Sequence, residues 1–347
     1  MFRKLFRRSS RTPAPVGFHP DRPPPGSCSY DAPPPGYSAQ ASETKQTKET
    51  REANRTGEAL PDPPSAFEPF DDGDNDQPPP AFHALYHDSP TSNAPAELAE
   101  AGWAFTDTHS LGLPRHLPPA ALAAIQAGAL DLAPPPPRFR GSIAPAGPMQ
   151  GVGESAARKM VVESAPGCPD TCLLSALPLY AAGYVHPLRT GRAKATYFEA
   201  AIQRLPDPAV GAIALGFCAQ PYPGFRLPGW NRGSLAVHSD DGRRFANDSY
   251  GGKTFLAEPV RAGETLGIGM RWAPREGGVD ADVWVTRDGV CVGGWRLDEP
   301  RDRDEENDPL PGLDGVCDVY AAVGVWGGPV LAHLQFFSDG QCPGMPS

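Results

Sequence analysis

The sequence predicts an all-β protein, an antiparallel β-sandwich that follows a long N-terminal tail and a short helical segment. Three observations carry that expectation. From Met160 onward, short runs of strict apolar alternation recur between turn signals; Asp-Gly pairs at 241–242 and 288–289 sit between such runs; and no long amphipathic helix interrupts the series. Period-two alternation means half-buried strands, and a succession of hairpins between them stacks as two sheets.

The tail comes first. The chain has 347 residues and 44 prolines, unevenly spread. From Arg11 to about Pro95 it is rich in Pro, Ser, Thr, Glu, Gln and Asp, too poor in apolar side chains to offset the entropy of folding, so residues 1–95 are expected to be disordered. Within them, Phe2, Leu5 and Phe6 fall at helical spacing among Arg3, Lys4, Arg7, Arg8 and Arg11. Met1 to Arg11 thus has the pattern of a short basic segment for an anionic membrane surface; a solvated basic tail or a mitochondrial presequence are the other readings, and Pro13 ends it in any case. Pro34-Pro35-Gly36-Tyr37 is a Pro-Pro-x-Tyr sequence, the ligand of WW domains. Its prolines pre-set a polyproline II helix, so docking costs little ordering entropy, and Tyr37 fills a pocket beside the proline groove. Four-residue patterns also arise by chance in Pro-rich chain. Lys45 and Lys48 lie just downstream, and Asp71 to Asp76 reads as solvated acidic linker.

Residues 96–160 form a helical and linker segment. Leu98, Trp103 and Phe105 restore apolar content; then Pro118-Pro119 sets a helix start, and Leu122, Ile125 and Leu130 give that helix an apolar side expected to dock on the β-domain. Pro134 to Pro137 stop it. The β-domain spans 161–340. Ile213, Leu215 and Phe217 share one strand face, as do Leu266, Ile268 and Met270; Val283 and Val285 flank Trp284; and Val330, Ala332, Leu334 and Phe336 alternate near the end. Leu177-Pro178-Leu179-Tyr180 matches a weaker WW-ligand pattern but lies where the domain begins and reads as core. At the centre, residues 221–252 hold a Pro/Gly/aromatic loop, an alternating run at Leu235 and Val237, Asp241-Gly242 and a second run through Phe245. A type I′ turn, with positive φ at both central residues, is the expectation there.

The formal net charge of −10 argues against nucleic acid as a partner, since phosphate contacts need clustered Lys and Arg. The absence of an 18-residue apolar run or a signal-peptide core predicts a cytoplasmic protein, peripheral on an endosomal or vacuolar membrane if its basic start binds lipid. Seven cysteines without a secretory signal predict reduced thiols, and the Cys168/Cys172 spacing is not that of a zinc site, so neither metal nor cofactor is expected. His238 beside Asp240 and Asp241 makes the best case for catalysis. Each has a structural use, however: Asp241 opens the turn, Asp240 can cap its amides, and His238 continues the strand. With no nucleophile elbow, phosphate loop or HExxH, a binding module is the expectation and an enzyme is not. A carbohydrate-acting sandwich would also need paired carboxylates on a strand. Arg226, Asn231 and Arg232 are the candidate client-binding loop, with Arg226 and Asn231 readable equally as buttresses of that loop. Trp230, Asp240, Asp241 and Gly242 are assigned to structure.

PYPGFRLPGW at 221–230, HSDDG at 238–242 and Asn247-Asp248 followed by Gly251-Gly252 resemble the central motif of SPRY domains. YFEAAI at 197–202, IALGF at 213–217, WVTRDG at 284–289 and VYAAVGV at 319–325 resemble further SPRY phrases, in family order over about Val161 to Phe337; DTCLLSALPL at 170–179 resembles a first strand of fungal SPRY proteins. The acidic insertion from Asp298 to Asp308, and the lack of the membrane-spanning segment some related fungal adaptors carry, depart from the pattern. The resemblance implies a sandwich that binds a client protein or peptide through loops at one edge. Similar fungal proteins join such a domain to Pro-Pro-x-Tyr motifs and bring membrane cargo to a WW-domain HECT-type ubiquitin ligase. The alternative is a SPRY scaffold subunit of a larger complex in which the motif is incidental.

Overall fold

Alternating runs become two antiparallel sheets in the computed structural model, which describes residues 94–146, 159–249, 251–299, 310–338 and 340–345. Two helices come first, α1 (Ala96–Thr108) and α2 (Pro119–Ala127), followed by β1 (Gly141–Pro145), β2 (Lys159–Ser164) and β3 (Cys168–Leu174). Two single-turn helices, α3 (Ala182–Val185) and α4 (Pro187–Thr190), lead to β4 (Lys194–Arg204), β5 (Ala212–Ala219), β6 (Ser234–His238), β7 (Arg243–Ala246) and β8 (Lys253–Thr254). The series closes with β9 (Thr265–Arg275), β10 (Gly278–Arg287), β11 (Val290–Arg296), β12 (Val319–Gly327) and β13 (Leu331–Phe336). Seven strands order as β1-β2-β13-β4-β9-β10-β11 and six as β3-β12-β5-β6-β7-β8, with every pairing antiparallel.

The predicted alternation selects the face between the sheets. Ile213, Leu215 and Phe217 from β5 meet Phe198 and Ile202 from β4, Leu266, Ile268 and Met270 from β9, Val283 and Val285 from β10, and Ala332, Leu334 and Phe336 from β13 in one core. Phe198 and Phe217 stand edge to face across the gap, ring centroids 5.5 Å apart, the arrangement favoured by the ring quadrupoles. Leu179 and Tyr180 are buried in the same core. Helix α2 docks as expected: Leu117, Ile125, Leu130 and Leu132 are buried there, with Leu122 packed against it. Its end is fixed by Gly128, whose φ of 66° is left-handed and whose added Cβ would stand 2.7 Å from the Phe336 carbonyl oxygen.

Three expectations change. The six-stranded sheet is not half-buried: β5 and β6 are buried along their whole length, because the loop after β5 and the chain around residues 110–117 cover its outer face. Cys172, Cys218, Tyr222 and Ala322 form a second apolar cluster there. Residues 141–145, read as linker, are the edge strand β1, paired to β2 from Met160 to Ser164. The turn at Asp241-Gly242 is not type I′. Only Gly242 has positive φ, at 66°, and residues 239–242 make a longer loop, because Ser239 is taken by Ile213 and Val260 while Gly242 O accepts from Phe255 N and Leu256 N. The two-residue type I′ geometry occurs instead between β10 and β11, where Asp288 and Gly289 have φ of 52° and 75°.

Cys168, Cys172, Cys218 and Cys317 are free thiols, whereas Cys291 is disulfide-bonded, against the expectation of thiols throughout. No helix among the described residues is long and apolar enough to cross a membrane. Pro34, Pro35, Tyr37, Lys45, Lys48, the basic start and most of the acidic insertion lie outside the described residues.

Candidate functional site

The loop between β5 and β6 carries the whole predicted client-binding set. Prolines at 221, 223 and 228 remove amide donors and fix φ, so the loop satisfies its remaining backbone groups locally. The Tyr222 hydroxyl donates to Leu227 O at 2.6 Å; Ser234 Oγ accepts from Gly229 N at 2.8 Å and donates to Asn231 O at 2.7 Å. Gly229 has φ of 94°, and an added Cβ would stand 2.6 Å from Phe245 Cβ, so only glycine fits that approach. Trp230 packs with Leu227 and Phe245, its ring 5.7 Å from that of His238.

His238, the strongest catalytic candidate by sequence, has its ring engaged in holding this loop. Nε2 is 3.0 Å from the Pro228 carbonyl oxygen, and the side chain is 3% exposed. Asp241 Oδ1 accepts from Arg243 N at 2.9 Å and so caps the turn. That cap was expected of Asp240, whose Oδ1 is buried without a hydrogen bond and whose pKa is raised by burial, with His238 opposing. His238 and Asp241 thus each hold backbone, of the loop and of the turn respectively. Among the described residues no group of three His, Cys, Asp or Glu could hold a metal ion.

Arg226 and Asn231 are each 1% exposed. What covers them is α1, which the sequence marked only as regained apolar content. Gly102 lies against the pair so closely that an added Cβ would stand 2.9 Å from Asn231 Oδ1 and 3.1 Å from Arg226 Cδ. Arg232, half-buried, holds the end of the same helix, Nη2 donating to Thr106 O at 2.9 Å and His109 O at 2.6 Å. A cation on the last carbonyls suits the negative end of a helix. Beyond α1 the chain stays pinned: Gly112 N donates to Gln220 O at 2.8 Å, and Asp318 accepts from Arg115 N and Ala182 N at 2.8 Å each. Asp318, Arg115 and Gly102 carried no signal in the sequence, because a strap over a loop has neither period nor motif.

Beneath α1 the electrostatics are unusual. Arg226 Nε donates to Asn231 Oδ1 at 3.0 Å, and the guanidinium lies 4.6 Å over the Trp230 ring, a cation–π contact strengthened by desolvation. Arg226 Nη1, Asn231 Nδ2 and Trp230 Nε1 are buried with no hydrogen-bond partner. Burial lowers the Arg226 pKa from its ordinary value, with Tyr222 and Asp170 opposing. Asp170 on β3 is pushed up to about 6 by burial, against the pull of Arg226 and Arg138.

No family model matches the chain. Over 144 residues it is 31% identical to the protein ssh4 of Sclerotinia sclerotiorum, covering 42% of this chain and 23% of that one. Over 102 residues it is 36% identical to human SPRY domain-containing protein 3, covering 28% and 20%. The chain is related to SPRY-domain proteins, fungal Ssh4 among them. It spans less than a quarter of the length of either relative. A solved human SPRY domain is similar at 20% identity and a TM-score of 0.33, over 51% of this chain and 90% of that one. The phrases that resemble SPRY proteins fall on inner strands of the sandwich and their turns: YFEAAI on β4, IALGF on β5, HSDDG from the end of β6, WVTRDG at the end of β10 with its turn, and VYAAVGV on β12.

Proposed function

We propose that this chain is a protein-interaction adaptor that recruits a ubiquitin ligase. Its SPRY-like sandwich binds a client protein or peptide, while Pro34-Pro35-Gly36-Tyr37 docks on the WW domain of a HECT-type ligase, so that client or membrane cargo is ubiquitinated and sorted to endosome or vacuole. The observation that carries this reading is the pairing, in one chain, of a domain related to Ssh4 with a Pro-Pro-x-Tyr sequence upstream of it. More than fifty residues separate Tyr37 from Ala96, where α1 begins. Ligase docking and client binding are therefore coupled through effective concentration and not through contact. Lys45 and Lys48, close to the docked ligase, are the sites where the adaptor would itself be modified. Met1 to Arg11 would hold it at an anionic membrane on the cytoplasmic side.

The test is capture of the full chain by isolated WW domains of a HECT ligase. Tyr37→Ala should cut capture about tenfold or more by removing the ring that fills the pocket. Equal capture of both proteins would reduce the motif to coincidence and leave the scaffold-subunit alternative in its place.

A further inference from the structure

Three buried donors of the loop that α1 covers have no acceptor. Arg226 Nη1, Asn231 Nδ2 and Trp230 Nε1 belong to one cluster, Arg226 being bonded to Asn231 and lying on the Trp230 ring. A buried donor left unpartnered is destabilising, and more so when the group is charged. The guanidinium forms no ion pair among the described residues, Asp170 attracting it from beyond ion-pair distance, and Gly102 closes over the Cγ and Cδ of its side chain. Helix α1 has no side-chain cap at its N-terminus, only Gly102 of its residues is buried, and its side-chain anchor at the far end is Arg232.

Resting on the client-binding half of the adaptor reading, we infer that Arg226, Asn231 and Trp230 form a recognition site for a carboxylate side chain of an acidic client peptide, and that α1 occupies this site in cis. The chemistry points to a carboxylate because the cluster offers N–H donors around one cation, and a charged acceptor makes bonds to such a group that are shorter and stronger than those of a neutral one. With α1 lifted, Arg226 and Asn231 would present their donors together to the incoming oxygen atoms. Because α1 must leave before a peptide enters, apparent affinity is reduced by the fraction of molecules in which the site is open. The site is thereby kept quiet until a client competes with α1.

Gly102 gives a clean test, because a side chain there pushes on Arg226 and Asn231 from the helix and leaves the loop sequence untouched. The probe is a capped tetraglutamate peptide, with tetraglutamine as control, titrated calorimetrically into the full chain. Gly102→Leu should bind tetraglutamate about tenfold or more tightly than the unaltered chain, with faster amide exchange in α1, and neither protein should bind tetraglutamine. Adding Arg226→Gln to Gly102→Leu should abolish binding. Should that double variant fail to fold, a synthetic peptide of residues 94–110 added in trans should displace tetraglutamate from Gly102→Leu. Equal affinity of the unaltered and Gly102→Leu proteins, binding of both peptides alike, or no displacement by the 94–110 peptide would overturn the inference. Capture by WW domains reads Tyr37 and not this site, so failure here is distinguishable from failure of the ligase half.

Discussion

Asp170 shows what burial does to a single carboxyl. Lying on the covered face of the six-stranded sheet, 5% exposed, it has a pKa raised to about 6 by loss of water, and the attraction of Arg226 and Arg138 does not restore it. The folded chain therefore keeps a proton that the unfolded chain releases near its ordinary value. Stability contributed at this residue falls as pH rises from about 4 to about 6 and is level above that window. Asp170→Asn should stabilise the protein near pH 7 by on the order of 2 kcal/mol and change little near pH 3.5. Urea denaturation at both pH values measures this, and an equal effect at the two would contradict the assignment. Nothing in DTCLL announced such a carboxyl, since alternation tells which face a residue takes but not what lies upon it. The same limit applies to LGIGM. Its inward Leu266, Ile268 and Met270 were legible, whereas the reason for glycine at 267 and 269 was not: the hydroxyl end of Tyr197 and the indole of Trp284 fill the space a Cβ would need at those two positions.

Two Asp-Gly pairs with the same local signal close different connections. At 288–289 the strands, after a register shift between Val285 and Thr286, pair as far as Arg287 and Val290, so the two residues between them take positive φ, and Asp288 adds a bond from Thr265 N to its Oδ1 at 2.8 Å. At 241–242 neighbouring chain competes for Ser239 and Gly242, the ladder stops at Val237, and Asp241 keeps ordinary φ. Sequence marks the turn; tertiary competition decides its type. Asp288→Val should therefore destabilise the domain by about 2 kcal/mol, and Asp288→Asn by less than about 1 kcal/mol, because asparagine tolerates left-handed backbone and a β-branched side chain does not. Thermal melts of the two variants compare them directly; similar losses would mean that the backbone geometry is not what Asp288 supplies. Helix α2 was legible through Pro118-Pro119 and its apolar side, while the docking of α1 on the loop was not, because its decisive contact is a glycine.

For the molecule as a whole, the sandwich does not begin where its motifs begin. Leu117, Ile125, Leu130 and Leu132 sit in the main core, β1 pairs with β2, and residues before Val161 cover the outer face of the six-stranded sheet. A fragment of residues 94–347 should melt as one cooperative unit, and a fragment of residues 161–347 should melt at least about 10 °C lower or not fold, since several buried aliphatic side chains at roughly 1.5–3 kcal/mol each are lost with it. Equal melting temperatures would show the preceding segment to be ornament. The phrases that resemble SPRY proteins made the β-domain legible because they lie on inner strands and turns; the segments that cover its loop carry neither period nor motif. On that frame the adaptor claim concerns which proteins gather around the chain. Its most direct test is proximity labelling in cells, comparing the full chain with Tyr37→Ala. WW-domain HECT ligases should be among the neighbours of the first and lost from the second, with the remaining neighbours unchanged; ligases missing from both, or retained equally by both, would contradict the adaptor reading.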